Sequence, residues 1–348
     1  MLHRRHFLQN SLAATLSATG LAWHGLSAQE PGKSIVGAAE HFLDTLPTKI
    51  KTKVLFAYGD EERYLWDFVP LNDTSKRIAT RKGISLEDCS NEALTAAMQL
   101  LQFSVGQQGF EWSKIIMGRE SILAELEPRN AWFRKPGWYF ITFFGKPSSR
   151  GVWGWRLDGH HLSVNCTIQD GELISTSPSF FGVNPVTIKH GARAGTRDCI
   201  TAAEDRAREL FLALSPDQQK TALHPEHLPE VKARTRDTYS LPVGLSAKEM
   251  TSTQMNILLQ VIQHYWDRMP SSLAKREKQA MDKAGIDQLS FTYTGEAAPG
   301  KRHTYAIQGP TLFIHYLNEQ TDPQRNPANH IHSVYRSPAW DFGGKASS

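Results

Sequence analysis

Near the end of the chain the run NHIHSVYR sets His330 and His332 two residues apart among β-branched and aromatic neighbours. Strand side chains alternate faces, so the two imidazoles point the same way, about 7 Å apart, with Val334 and Arg336 continuing that face. Such a pair can chelate one ion, and imidazole suits zinc, copper, iron and nickel. Two donors do not complete a site, because a structural ion takes about four ligands and a catalytic one about three plus water. Further donors are available in His160 and His161, within the run DGHH, and in His315, within LFIHYLN. On a regular strand His160 and His161 face opposite sides, so one of them at most joins a common centre unless Gly159 marks a bulge. His315 falls between apolar neighbours on a strand, where a buried imidazole needs a hydrogen-bond partner or a metal. Arg336 is the expected anion anchor, since a guanidinium grips a carboxylate bidentately. Glu204, in AAEDRAREL, is the candidate acid–base group.

This pattern predicts a metal-dependent enzyme with a divalent transition metal (zinc, iron or copper), a hydrolase, lyase or oxygen-using enzyme acting on a small acidic or oxygen-rich molecule. The same residues also fit a small-ligand or partner binding protein without catalysis, or a structural tie between the last strand and its neighbours. Other chemistries lack their signatures: the chain has no G-x-S-x-G elbow, no G-x-G-x-x-G turn and no Walker pattern.

The elements that must carry these residues are legible in the apolar periodicity. SIVGAAEHFLDTLP, NEALTAAMQLLQFSV, SKIIMGRESILAEL, the stretch from Cys199 to Leu223 and AKEMTSTQMNILLQVIQHYWDRM read as helices. Residues 54–71 read as extended, with a turn at Gly59-Asp60. WYFITFFG, GVWGWRLDGHHLSVNCTIQDG and ELISTSPSFFG are rich in aromatic and β-branched residues and broken by Gly and Pro, a strand-and-hairpin signature. LSFTYTG, HTYAIQG, TLFIHYLNE and NHIHSVYR supply further strands, and residues 225–245 read as a surface loop. Two strand-rich blocks around a helical insertion predict an α+β fold, a single domain over residues 34–344 whose mixed or antiparallel sheet both blocks complete. The alternative is a split near residue 245.

With 348 residues, 40% of them hydrophobic and 21% charged, the chain can bury a substantial core. A formal charge of +4, with no basic run interleaved with aromatics, disfavours nucleic acid as a partner. The first 28 residues read as a removable export signal: Arg4-Arg5 and Phe7-Leu8 precede a small-residue apolar stretch that ends at Leu26-Ser27-Ala28, a twin-arginine pattern. Its Gly, Ser, Thr and His24 make it a poor membrane span. A periplasmic or secreted protein follows, with the twin-arginine export machinery as a transient partner and no stable membrane insertion. Cys89, Cys166 and Cys199 form an odd set without C-x-x-C spacing, which leaves open whether one pair forms a disulfide.

In order and spacing, GWRLDGHHLSVN, PSFFGVNP, AIQGPTLFIHYLN and NHIHSVYRSPAWDFG resemble the bacterial and fungal family catalogued as domain of unknown function 3500, from about residue 40 to 344. The resemblance implies no activity. It does mark Gly159-His160-His161, the set His330, His332, Ser333 and Arg336, and Asp341-Phe342-Gly343 as family elements. Many relatives carry an acid where this chain has His315 and an Asp where it has Leu317, and GKASS replaces the usual acidic continuation after Asp-Phe-Gly.

Overall fold

The computed structural model describes residues 31–70, 80–189, 194–195, 200–230, 233 and 241–344. The expected export signal and Cys199 lie outside them. Among the described residues no helix is long and apolar enough to cross a membrane, and Cys89 and Cys166 carry free thiols.

The chain is α+β. Strands from both blocks share one sheet: β1 (Leu55–Phe56), β2 (Ile84–Ser85), β3 (Tyr139–Phe144), β4 (Val152–Gly159), β5 (Leu162–Gln169), β6 (Glu172–Ser175) and β7 (Ser179–Phe181) from the first, then β8 (Leu245–Ser246), β9 (Ser290–Gly295), β10 (His303–Gln308), β11 (Phe313–Asn318) and β12 (His332–Arg336). Their order is β1-β3-β4-β5-β7-β12-β11-β10-β9-β8, with β2 added to β3 and β6 to β5. Only β1 and β3 run parallel; the remaining strand pairs are antiparallel, as short hairpin connections allow. The two blocks meet where β12 pairs with β7.

Strand alternation gives this sheet two unlike faces. One carries Tyr139, Ile141, Trp155, Val164, Tyr305 and Ile314, all nearly or fully buried, in a core shared with the helices α1 (Pro31–Thr45), α3 (Asn91–Leu126), α4 (Thr201–Ala213) and α6 (Ser252–Trp266). Short α2 (Thr48–Val54) and α5 (Pro216–Ala222) and the helix α7 (Ser271–Ala284) complete the helical set among the described residues. The other face is polar yet buried, with Thr142, Arg156, Asp158, Ser163 and Asn165 on its first half. A smaller cluster of Trp66, Phe68, Phe180, Leu228, Phe313 and Val334 closes over its centre. Asp158 lies 3.3 Å from Arg156 and 3.7 Å from Arg81 and accepts a hydrogen bond from the Asp67 amide at 3.2 Å. Burial raises its carboxyl above the usual range while the two arginines oppose that shift.

Several elements differ from the sequence reading, among them the following three. Residues 54–71 extend only at β1 and then turn into a 3-10 helix, Glu61–Tyr64. Asp60 caps that turn by accepting from the Glu62 amide at 2.9 Å, and the buried Arg63 guanidinium lies over the Tyr58 ring at 3.9 Å. The segment that follows packs on the polar face instead of adding a strand. The two expected helices around residue 109 are one element, broken at Gly106 rather than after Gly109. Helix α7 has no counterpart in the sequence reading, because only three of its side chains are buried and its apolar signal is correspondingly thin.

Candidate metal centre

β4 and β5 form a hairpin whose ends pair as Gly159↔Leu162, so His160 and His161 occupy a two-residue turn. The strand-parity argument does not apply there. His161 takes a left-handed backbone, φ 62, a conformation a non-glycine side chain adopts only when its surroundings hold it. Those surroundings are explicit: the His161 amide donates to the Phe68 carbonyl at 2.9 Å, and its carbonyl accepts from the Gly182 amide at 2.7 Å. A Cβ on Gly159 would lie 2.4 Å from the Tyr139 ring, and one on Gly182 would lie 2.7 Å from the Ile331 carbonyl oxygen and 3.1 Å from the His161 ring. Both glycines are therefore required by close approach at the turn.

The turn delivers His161 to the start of β12. His161 Nε2 lies 2.8 Å from His330 Nε2 and 3.2 Å from His332 Nε2, and the latter two are 3.0 Å apart. Three sp² nitrogens thus face one point, the His161 and His332 rings buried and His330 half-buried. Donors bound at roughly 2.0–2.1 Å and separated by such distances subtend about 85–105° at an ion, a spread that a three-imidazole face accommodates. Without an ion, N–H···N hydrogen bonds can match two of the three pairs at most, and the third sets two lone pairs or two N–H groups against each other. The three residues could hold a metal ion.

The surroundings hold the donors in the state a metal needs. Burial pushes the His161 and His330 imidazoles well below the ordinary value, and the neighbouring rings and Arg134 add to the shift, so both stay neutral. Glu230 pairs with His332 Nδ1; a carboxylate there accepts a hydrogen bond from Nδ1–H and leaves the Nε2 lone pair free to bind an ion. Phe68 and Phe180 stack at 3.9 Å and both turn their rings toward His332, at 5.4 and 5.2 Å, which excludes water from that side. Of the three, His330 alone is partly exposed. The His330 amide donates to Asn318 Oδ1 at 3.3 Å.

Not every candidate residue joins this group. His160 stacks on His161 with ring centres 3.8 Å apart, pairs through Nδ1 with Glu120 on α3, and has its carbonyl held by the Tyr139 hydroxyl at 2.8 Å. It braces a donor and is not one of the converging three. His315 lies on β11 opposite Val334, while His332 lies opposite Leu317; the two histidines are diagonal neighbours on one face, about 7–8 Å apart. Neither His315 ring nitrogen has a hydrogen-bond partner among the described residues, and burial, with the His332 charge second, pushes its pKa down to about 3. Arg336 shares the face of His332, as parity predicts, but lies four residues along the strand, about 13 Å, and is ion-paired with Asp341 at 2.5 Å. Glu204 is on the helix-covered side, paired with Arg208. It accepts from Asn318 Nδ2 at 3.4 Å, so Asn318 and the His330 amide link it to the centre.

The sequence profile of the family described as "Protein of unknown function (DUF3500)" matches residues 28–344, nearly the whole chain. The chain belongs to this family. No curated protein and no solved structure matches it. In this member the separate motifs of the resemblance are spatial partners: Gly-His-His meets the His-x-His pair, and the arginine of that run meets the aspartate of Asp-Phe-Gly.

Sequence reasoning missed Glu120, Arg134, Glu230 and Asn318. Glu120 sits mid-helix in GRESILAEL, where nothing separates it from a solvated charge. Arg134, in AWFRKPGW, did carry a usable signal: a cation flanked by aromatic residues and closed by Pro-Gly.

Proposed function

We propose that this protein is an exported metal-dependent enzyme whose divalent transition-metal ion is held by His161, His330 and His332, and that it acts on a small acidic or oxygen-rich substrate. The observation that carries this reading is the approach of three imidazole Nε2 atoms to within 2.8–3.2 Å of one another. Charge supports it: the carboxylates of Glu120 and Glu230 each meet an imidazole, and among the described residues neither forms an ion pair with lysine or arginine. Two such carboxylates around three converging imidazole nitrogens favour a doubly charged cation between them. Three protein donors leave room for a further ligand, the mark of a catalytic rather than a closed structural site.

When bound, the ion supplies Lewis acidity, or one-electron chemistry if it is iron or copper. The chain supplies the remainder. Glu230 fixes the tautomer of His332, His160 and Glu120 brace His161, and Phe68 with Phe180 keeps water off one side. The half-buried His330 edge is where a substrate enters. The Arg4-Arg5 signal supports export of a folded, metal-loaded chain.

Metal analysis of untagged protein tests the assignment. About one metal per chain is expected for the wild type, and H330Q and H332Q each lose it. Less than about 0.2 per chain, with no uptake on reconstitution, sinks the proposal; the threshold is an order-of-magnitude choice for a tight site.

A further inference from the structure

Arg134 lies in the loop after α3, beside the hairpin turn that carries His160 and His161. Its side chain is only 9% exposed. Glu127 grips one edge of the guanidinium, accepting from Nε at 2.8 Å and lying 2.7 Å from Nη2. The Phe133 ring lies 4.8 Å from the guanidinium carbon and covers one side. Two contacts that lock one edge and a ring over the group hold the remaining nitrogen, Nη1, in a fixed direction.

That direction is toward the histidine cluster. Nη1 lies 3.1 Å from His160 Nδ1 and 3.5 Å from His160 Nε2. His160 Nδ1 also meets the Glu120 carboxylate, which when ionised only accepts, so Nδ1 carries the proton and donates to it. A donor faces a donor across the 3.1 Å contact, and at 3.5 Å Nε2 is at the outer limit of a hydrogen bond. The Nη1 protons of a largely buried, permanently charged group therefore lack a good acceptor, beside the turn that carries the donor His161. His160 in turn stacks on His161 with ring centres 3.8 Å apart, which places Nη1 one ring away from a converging donor.

We infer that Arg134 is the anion-recognising residue of this centre, and that the substrate class is a carboxylate or similar oxyanion held between the metal and Arg134 Nη1. This rests on the metal-site reading given above, and it moves the anchor role expected of Arg336 to a different arginine. Glu127 positions the guanidinium, and the shielding by Phe133 strengthens its attraction for an anion.

The test uses full-length mature protein loaded with cobalt(II), whose visible absorption reports ligands entering the coordination sphere, titrated with acetate and benzoate and, as a neutral metal ligand, with imidazole. R134Q is expected to load cobalt as the wild type does, to bind both carboxylates about tenfold to a hundredfold more weakly, as loss of a charge-assisted hydrogen bond implies, and to bind imidazole unchanged. R134K, which keeps the charge and loses the fork, falls between and serves if R134Q does not fold. Unchanged carboxylate affinity in R134Q overturns the inference. Equal weakening of imidazole also overturns it, assigning Arg134 to holding the hairpin. If the wild type takes up no cobalt, the metal reading fails separately. Benzoate is then followed by quenching of Trp132 and Trp138 fluorescence in the metal-free chain, where binding that R134Q abolishes sustains the inference and absence of binding ends it.

Discussion

Replacing His315 by leucine is expected to stabilise the protein, and more so in acid. The ring is fully buried on the strand face where Phe313, Ala306 and Val334 form an apolar cluster, and neither nitrogen is partnered among the described residues. Leaving a buried polar group unmatched costs about 1–3 kcal/mol, whereas fitting leucine into the space costs less than about 1.5 kcal/mol. A net gain of about 1 kcal/mol at pH 7 follows from these two figures. The acid effect follows from linkage. The folded imidazole protonates only near pH 3, while in the unfolded chain it does so near its ordinary value of about 6.5. Between these values the unfolded state binds the extra proton, so falling pH destabilises the wild type, by about 2 kcal/mol at pH 5. H315L lacks this contribution. Urea midpoints at pH 7, 6 and 5, measured with a chelator present so that metal does not contribute, give the difference directly. A constant gap between variant and wild type across that range, or a less stable H315L at pH 7, would refute the reasoning. H315L should also retain the full complement of metal, because His315 is not among the three converging donors.

Two further outcomes are expected at the centre. E230Q removes the charge that orients His332 from a side chain that is 38% exposed. Metal affinity should fall about ten- to a hundredfold in a competitive chelator titration, while the urea midpoint of the metal-free protein hardly moves. G182A places a methyl group 2.7 Å from the Ile331 carbonyl and 3.1 Å from the His161 ring. It should cost about 1–3 kcal/mol of stability and also displace a metal ligand, and unaltered cobalt binding in a folded G182A would contradict that picture.

The α+β class and most strands were legible because the sheet's apolar face obeys a two-residue period and its helices a helical one. His332, Val334 and Arg336 do share a face, and parity alone was enough to say so. Parity did not reveal that Arg336, four residues beyond His332, is delivered to Asp341, since that pairing depends on where the chain turns after β12. Nor did it apply to His160 and His161, whose places are set by a tight turn with a left-handed residue. Arg134, Glu120 and Glu230 come from a loop, a helix and a second loop, and only tertiary packing brings them to the donors. Residues 54–71 carry alternating aromatic residues that imitate a strand, yet their aromatic side chains close over a polar sheet face, and no local pattern distinguishes the two uses.

The donors are divided between distant parts of the chain: His161 and His330 are 169 residues apart. They lie on either side of the join between the sheet's two halves, where β12 and β7 share only two residue pairs and a single bridge, Val183↔Ile331, extends the contact. An ion held by both sides is a rivet across the seam that joins the sheet's two halves. A nascent chain that ends before His330 offers one of the three ligands and cannot retain the metal. Tight loading therefore waits for the last strand to dock, and the metal, once held, marks a chain whose assembly is finished.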